Sequence, residues 1–284
     1  MGKIRETTAF LNPGQTPVVA ADQPLYALAK QIQWQWPEEY GEDKFVVMFG
    51  GLHIEMAALK SMGTLLKDSG WTSCLDEAAV ASSGSAESFL TASHITKSRQ
   101  VHQITACSLY RLKKTAYQEY CSATSQPMSF EDWCKEARPN SPQFHFWDLV
   151  LNMELATFTL VRSFREANFS LYRVALCELI PYFFANNNVN YARRLPIHLQ
   201  DMMTIDEKHP QVAQQFHRGN FVVHKSEREF SAIAIDQAHE QNNAVIKVDG
   251  GAIGLTENPA ALRRWMVAGP KISYIVAEYE AASI

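Results

Sequence analysis

Four side chains late in the sequence stand at the spacing that chemistry on one helix face requires. Asp236, His239, Glu240 and Asn243 recur at i, i+3, i+4 and i+7, so a helix through them sets all four along one stripe. Two carboxylates, an imidazole and an amide are donors that a hard divalent cation can use. The same stripe on a surface helix is simply solvated. A further acid, Asp22, ends the apolar run TPVVAAD. An Asp at the C-terminal end of a strand faces the crevice where α/β sheets place their chemistry. Its plainer role is a cap that accepts from first-turn amides of the next helix, and the two roles are compatible. His53 and Glu55 follow the pair Gly50-Gly51. On a helix they point to different faces; on a strand continuing through the glycines they share one.

The elements that must position these residues are legible in outline. Residues 16–22 read as a short buried strand, and Pro24 opens a helix in which Leu25, Leu28, Ala29 and Ile32 recur with helical spacing. Residues 44–49 (KFVVMF) are the strongest strand signal, closed by the two glycines and followed by a helix to about Lys67. Near Asp236, the apolar runs 221–223 and 230–235 flank the charged link Ser226-Glu227-Arg228-Glu229, which suits a hairpin or a strand feeding a helix. Asp249-Gly250-Gly251 ends that helix. Between these parts the chain reads as helical. The stretch 71–93 is Ser/Ala/Gly-rich and suits a loop or short helices. A helix is expected over 103–120, Ser129 caps another, and long apolar periodicity over 144–184 splits near Asn168. Arg162, Arg165 and Glu166 fall inside that apolar stretch and read as a polar seam in a helical core. Helices are also expected over 191–203 and 211–216. Beyond the stripe, Thr256 to Pro259 caps a helix over 260–268, and Gly269-Pro270 separates it from a last one over 271–282.

Composition removes several classes of function. With 284 residues, 46% hydrophobic and 20% charged, the chain can build a full core. The formal charge of −4 argues against a surface made mainly to neutralise phosphates. One basic tint remains, at Lys97, Arg99, Arg111, Lys113 and Lys114, where a nucleic-acid backbone or plain water would serve equally. No apolar run is long enough to cross a membrane, and the N-terminus lacks a secretory core. Glu6 spoils a myristoylation signal at Gly2. The five cysteines form no C-x-x-C pair, so reduced thiols in an intracellular setting are expected. Dinucleotide and P-loop fingerprints are missing, as is a G-x-S-x-G elbow.

Four strings carry a resemblance: VVAADQPLYALAKQIQW, FGGLHIEMAALK, YARRLPIHLQDM and FSAIAIDQAHEQNNAVIKVDGGAIGLTENPAALRRWM. Together they resemble an uncharacterised eukaryotic family built on a domain of unknown function, multi-copy in animal genomes and of DNA-transposon descent. The resemblance spans nearly the whole chain. It implies an α/β, mostly helical fold: a partial ribonuclease-H-like core of few strands with a large helical insertion. Residues 1–70 would be the N-terminal part of the core, 71–216 the insertion and 217–284 the C-terminal part. It also implies a metal-dependent nuclease or transposase acting on DNA phosphodiesters with Mg2+ or Mn2+. Asp22 matches the strand-end acid and Glu240 the late glutamate, with Glu55 as a further catalytic candidate. The metal set would be drawn from Asp22, Glu240, Asp236, His239 and His53. The chain departs from a complete core in that only a short segment precedes Asp22. It therefore reads as the C-terminal part of a longer protein with one acid missing, for which Glu55 or His53 would stand in. An inactive fragment is included in this expectation. A non-enzymatic nucleic-acid- or protein-binding relic is the alternative. Nuclear residence follows from the ancestry alone, and the oligomeric state is left open.

Overall fold

The apolar run ending at Asp22 and the run ahead of the two glycines become neighbouring strands. A computed structural model describes residues 1–247 together with Arg263, Tyr274 and Glu278. In it, helix α1 (Gly2–Leu11) is followed by β1 (Val18–Ala21), α2 (Gln23–Gln35), α3 (Pro37–Tyr40) and β2 (Val46–Phe49). β1 and β2 pair in parallel, with Ala21 opposite Phe49, and α2 and α3 form the crossover that parallel pairing demands. All four β2 residues are buried, which is why VVMF is continuously apolar and not alternating.

Helix α4 (Gly51–Leu66) leaves β2 directly and is buried on most sides. One side joins the sheet, Tyr26 and the helices α9 (Pro142–Arg165), α10 (Phe169–Ala185) and α11 (Val189–Met203) in a core built on Ile54, Ala58, Leu160, Leu176 and Phe183. The other side, through Leu59, Met62 and Leu66, meets α5 (Trp71–Glu77), α6 (Ser83–Leu90) and α7 (Ile95–Ala123) in a second core. Helix α8 (Phe130–Asn140) is tied to α7 and α9 by Asp148, which accepts from Lys113 Nζ at 2.6 Å and Arg138 Nε at 2.7 Å. The break near Asn168 is where α9 turns into α10: Ala167 adopts φ 51°, and Asn168 Oδ1 caps α10 through Leu171 N.

Short helices α12 (Ile205–Lys208) and α13 (Pro210–His217) lead to a two-stranded antiparallel hairpin, β3 (Val223–His224) and β4 (Ala232–Ile233), and then to α14 (Ile235–Lys247). The chain divides into two compact units, Met1–Gln237 and Ala238–Ile284. The turn at 249–251, the cap at 256–259 and most of the two last expected helices lie outside the described residues. Among the described residues no helix is long and apolar enough to cross a membrane.

The polar seam lies elsewhere than the sequence pattern suggested. Arg162 is 65% exposed and pairs with Glu166 at 2.7 Å, because both sit on the solvent side of the last turns of α9. The buried charges are instead Glu55 with Arg99, Glu154 with His102, and Lys30 with its two acids. Lys30 Nζ donates to Glu42 at 2.5 Å and to Asp201 at 2.9 Å, and Lys208 reaches the other Glu42 oxygen at 3.0 Å. Burial alone would raise the Glu42 carboxyl, but donors from Lys30, Trp34 and Lys208 hold it at about 2 against an ordinary 4.5. Asp201 is pushed up by burial, so it takes a proton first on acidification and works in the opposite sense. The stability owed to Glu42 is complete above pH 4.5 and is lost as the pH falls from there towards 2. Urea midpoints should drop across that window in the wild type and drop less steeply in Glu42→Gln. An identical slope in both would assign the acid limit to other carboxylates.

Candidate functional site

Because β1 and β2 are parallel and end level with each other, the residues that follow them emerge at the same edge of the sheet. After β1 comes Asp22. Its Oδ1 accepts from Leu25 N at 3.1 Å and so caps α2, while its other oxygen has no hydrogen-bond partner among the described residues. After β2 comes Gly50, whose N–H donates to Ala21 O at 2.7 Å. A side chain on Gly50 would stand 2.4 Å from Asp236 Oδ2 and 3.0 Å from Ala21 O. The position must be glycine for that carboxylate to approach the strand ends. Gly51 is required for a similar reason, since its Cβ would fall 2.4 Å from Phe164 Cζ.

Asp236 arrives from the other end of the sequence. Hairpin β3–β4 carries it in on the first turn of α14, buried, against the N-terminus of α4. Its Oδ1 accepts from Leu52 N at 3.0 Å, and its Oδ2 accepts from His53 N at 3.1 Å and lies 2.9 Å from His53 Nδ1. A carboxylate at this place satisfies orphan amides and meets the positive end of the helix dipole. Gly50 caps α4 with no side chain of its own, and Asp236 supplies what it lacks.

Tyr191 closes the group. Its hydroxyl donates to the His53 carbonyl at 3.1 Å. Burial, followed by the Asp22 and Asp236 charges, pushes its hydroxyl up to about 12, so both acids act on one phenol. A column of stacked rings fixes it: Tyr26 on Phe49 at 4.8 Å, Phe49 on Tyr191 at 5.2 Å and Tyr191 on Phe183 at 5.3 Å. Deeper, Tyr172 and His198 share a buried hydrogen bond of 2.7 Å. Burial and then the Lys30 charge lower His198 to about 3, which keeps it neutral.

His53 and Asp236 are therefore in contact, Asp22 and Asp236 both act on Tyr191, and Glu55 is not part of this group. Glu55 turns away from His53, because the chain is already helical at Gly51. It is 1% exposed and gripped by both arms of Arg99, with Nη2–Oε2 at 2.5 Å. Burial still leaves its carboxyl above the usual range despite the guanidinium. His239, Glu240 and Asn243 lie on α14 in the second unit, exposed, with no hydrogen bond or ion pair among the described residues. The basic tint also divides: Arg99 and Lys113 are spent on Glu55 and Asp148, while Lys97, Arg111 and Lys114 face solvent. Tyr191 was not foreseen, since a Tyr on an amphipathic helix carries no local signal of the acids it will meet.

The donors at the strand ends are hard oxygens and one imidazole, of the kind Mg2+ or Mn2+ accepts. Yet Asp236 already spends both oxygens on α4. Among the described residues no three His, Cys, Asp or Glu side chains gather closely enough to hold a metal ion. Among the described residues the group thus keeps one open carboxylate oxygen, on Asp22. No curated protein and no solved structure matches the chain. The sequence pattern of the family described as a domain of unknown function (DUF8702) matches residues 6–125 and 114–283, almost end to end, and the chain belongs to that family.

Proposed function

We propose that this chain is a transposon-derived protein with a partial ribonuclease-H-like core, a remnant of a metal-dependent nuclease or transposase acting on DNA phosphodiesters. The observation that carries this reading is that Asp22 follows one of two parallel strands, Asp236 packs on the glycine that follows the other, and the charges of both act on one phenol. That crevice is where α/β folds place their chemistry. Mg2+ or Mn2+ would be held by Asp22, with Asp236 and His53 beside it, and would supply an activated water and charge neutralisation at phosphate. The chain's own part is to fix the geometry: Asp236 locks α4 to the strand ends, and the ring column holds Tyr191, whose hydroxyl donates to the His53 carbonyl.

The second reading is a non-enzymatic nucleic-acid-binding relic. It is favoured by the commitment of Asp236 to α4 and of Glu55 to Arg99, which leaves Asp22 the one acid of the first unit's candidates with an open oxygen among the described residues. Nicking of supercoiled DNA with Mg2+ or Mn2+ separates the two. The first reading expects metal-dependent nicking by the wild type and its loss in Asp22→Asn, with Glu240→Gln testing the late glutamate. Equal nicking by wild type and Asp22→Asn would end the assignment of Asp22. DNA retention without nicking by any form would favour the relic.

A further inference from the structure

The C-terminal end of α9 that fills the space at Gly51 with Phe164 also presents a guanidinium with no hydrogen-bond or ion-pair partner among the described residues. Arg165 makes no hydrogen bond or ion pair among the described residues. Burial and then the neighbouring Arg99 charge lower its pKa, opposed by Glu55. Two guanidiniums therefore share one buried carboxylate, and Arg99 has taken both of its oxygens. A partly buried cation left over beside a like charge is costly unless an anion arrives.

The space in front of Arg165 fits such an anion. A groove of about 540 Å3 runs between α7 and α9, lined by Arg99, Gln103, Arg162 and Arg165 over an apolar floor that includes Phe158. No acidic side chain lines it. Phe230 closes one side, 57% exposed, held at φ 59° on the loop ahead of β4. A large aromatic left in water on a strained left-handed backbone is a poor choice for the fold by itself. The adjoining cavity of about 780 Å3, which Arg165 and Phe230 also line, is different: Glu166, Glu227 and Glu229 stand there beside Lys225 and Arg228. Arg162 is paired with Glu166 and Arg99 with Glu55, which leaves Arg165 the cation of this lining without an ion pair among the described residues, on a chain whose net charge is −4.

We propose that this groove binds a single nucleic-acid strand, with Arg165 and the exposed Arg162 on successive phosphates and Phe230 as the platform for one base. Guanidiniums alternating with aromatic faces are the pattern of single-strand binding, where charge tracks the backbone and stacking tolerates any base. An acidic peptide would use the arginines but would leave Phe230 without a flat partner. The proposal shares its substrate class with the nuclease reading and needs none of its catalysis, since no metal and neither Asp22 nor Asp236 takes part.

The test is fluorescence anisotropy with labelled oligo(dT) and oligo(U) in EDTA, on the full chain. Phe230→Ala should weaken binding roughly 5- to 150-fold, the range for one lost stacked base. Arg165→Gln should weaken it and make the salt dependence shallower by about 0.7 in log K against log salt, one phosphate's share on a single strand. Both variants should melt no lower than wild type, since Arg165 holds no ion pair and Phe230 is exposed. Absence of wild-type binding, unchanged affinity in both variants, or equal binding of polyglutamate would each overturn the groove assignment. Binding is read in EDTA, without the metal that nicking needs, so a failed nicking assay and a failed groove are told apart.

Discussion

Arg99→Met is expected to destabilise the protein by about 3–5 kcal/mol, the usual cost of leaving one member of a buried ion pair without the other. Glu55 is buried in the inner face of α4, and no other cation donates to it among the described residues. With Arg99 gone, Glu55 must fold protonated or not at all. Its carboxyl, already raised by burial, rises further in the variant. A raised acid is favoured folded while protonated and disfavoured once the solution pH strips the proton. The deficit of Arg99→Met should therefore be smallest in mild acid and grow towards neutral pH. The double variant Arg99→Met/Glu55→Leu should recover most of the loss, because apolar replacement of a whole buried pair is often neutral or better. Urea unfolding of the three proteins at two pH values measures this. A double variant no more stable than Arg99→Met would mean that the cost lies in lost packing by Arg99 and not in the stranded acid.

Asp236→Ala should cost about 3 kcal/mol, from the loss of charge-assisted hydrogen bonds to two helix amides and one imidazole at a buried site. Asp236→Asn keeps the shape and one acceptor, and about half the loss is expected. Hydrogen exchange gives a sharper readout than melting. Among the described residues the amides of Leu52 and His53 donate to Asp236, so both should exchange fast in Asp236→Ala while the interior of α4 stays protected. Protection of Leu52 and His53 unchanged in the alanine variant would remove Asp236 as the cap of α4. The two predictions act at opposite sides of the first turns of α4. One concerns its N-terminus and the other the face it turns to α7, and together they account for how a helix starting on two glycines is held.

The local pattern determined most of the elements. Runs such as TPVVAAD and KFVVMF, helix starts at Pro24 and Ser129, and the break near Asn168 are short-range signals, because propensity, capping and periodicity act within one or two turns. Asp22 as a strand-end acid and cap was readable for the same reason. What only the tertiary structure decided is which of the candidate residues meet. Asp236 reads locally as one of four on a helical stripe, yet hairpin β3–β4 delivers it to amides 184 and 183 residues away. His239 and Glu240, its stripe mates, stay exposed on the second unit. Glu55 and His53, two apart, were separated by the start of the helix at Gly51, and Arg165 in its apolar run was left without an ion pair among the described residues. Side-chain types and spacing declare what a residue is able to do. The crossing of α4, α9 and the sheet, set by burial of apolar faces far apart in the chain, decides which neighbours it does it with.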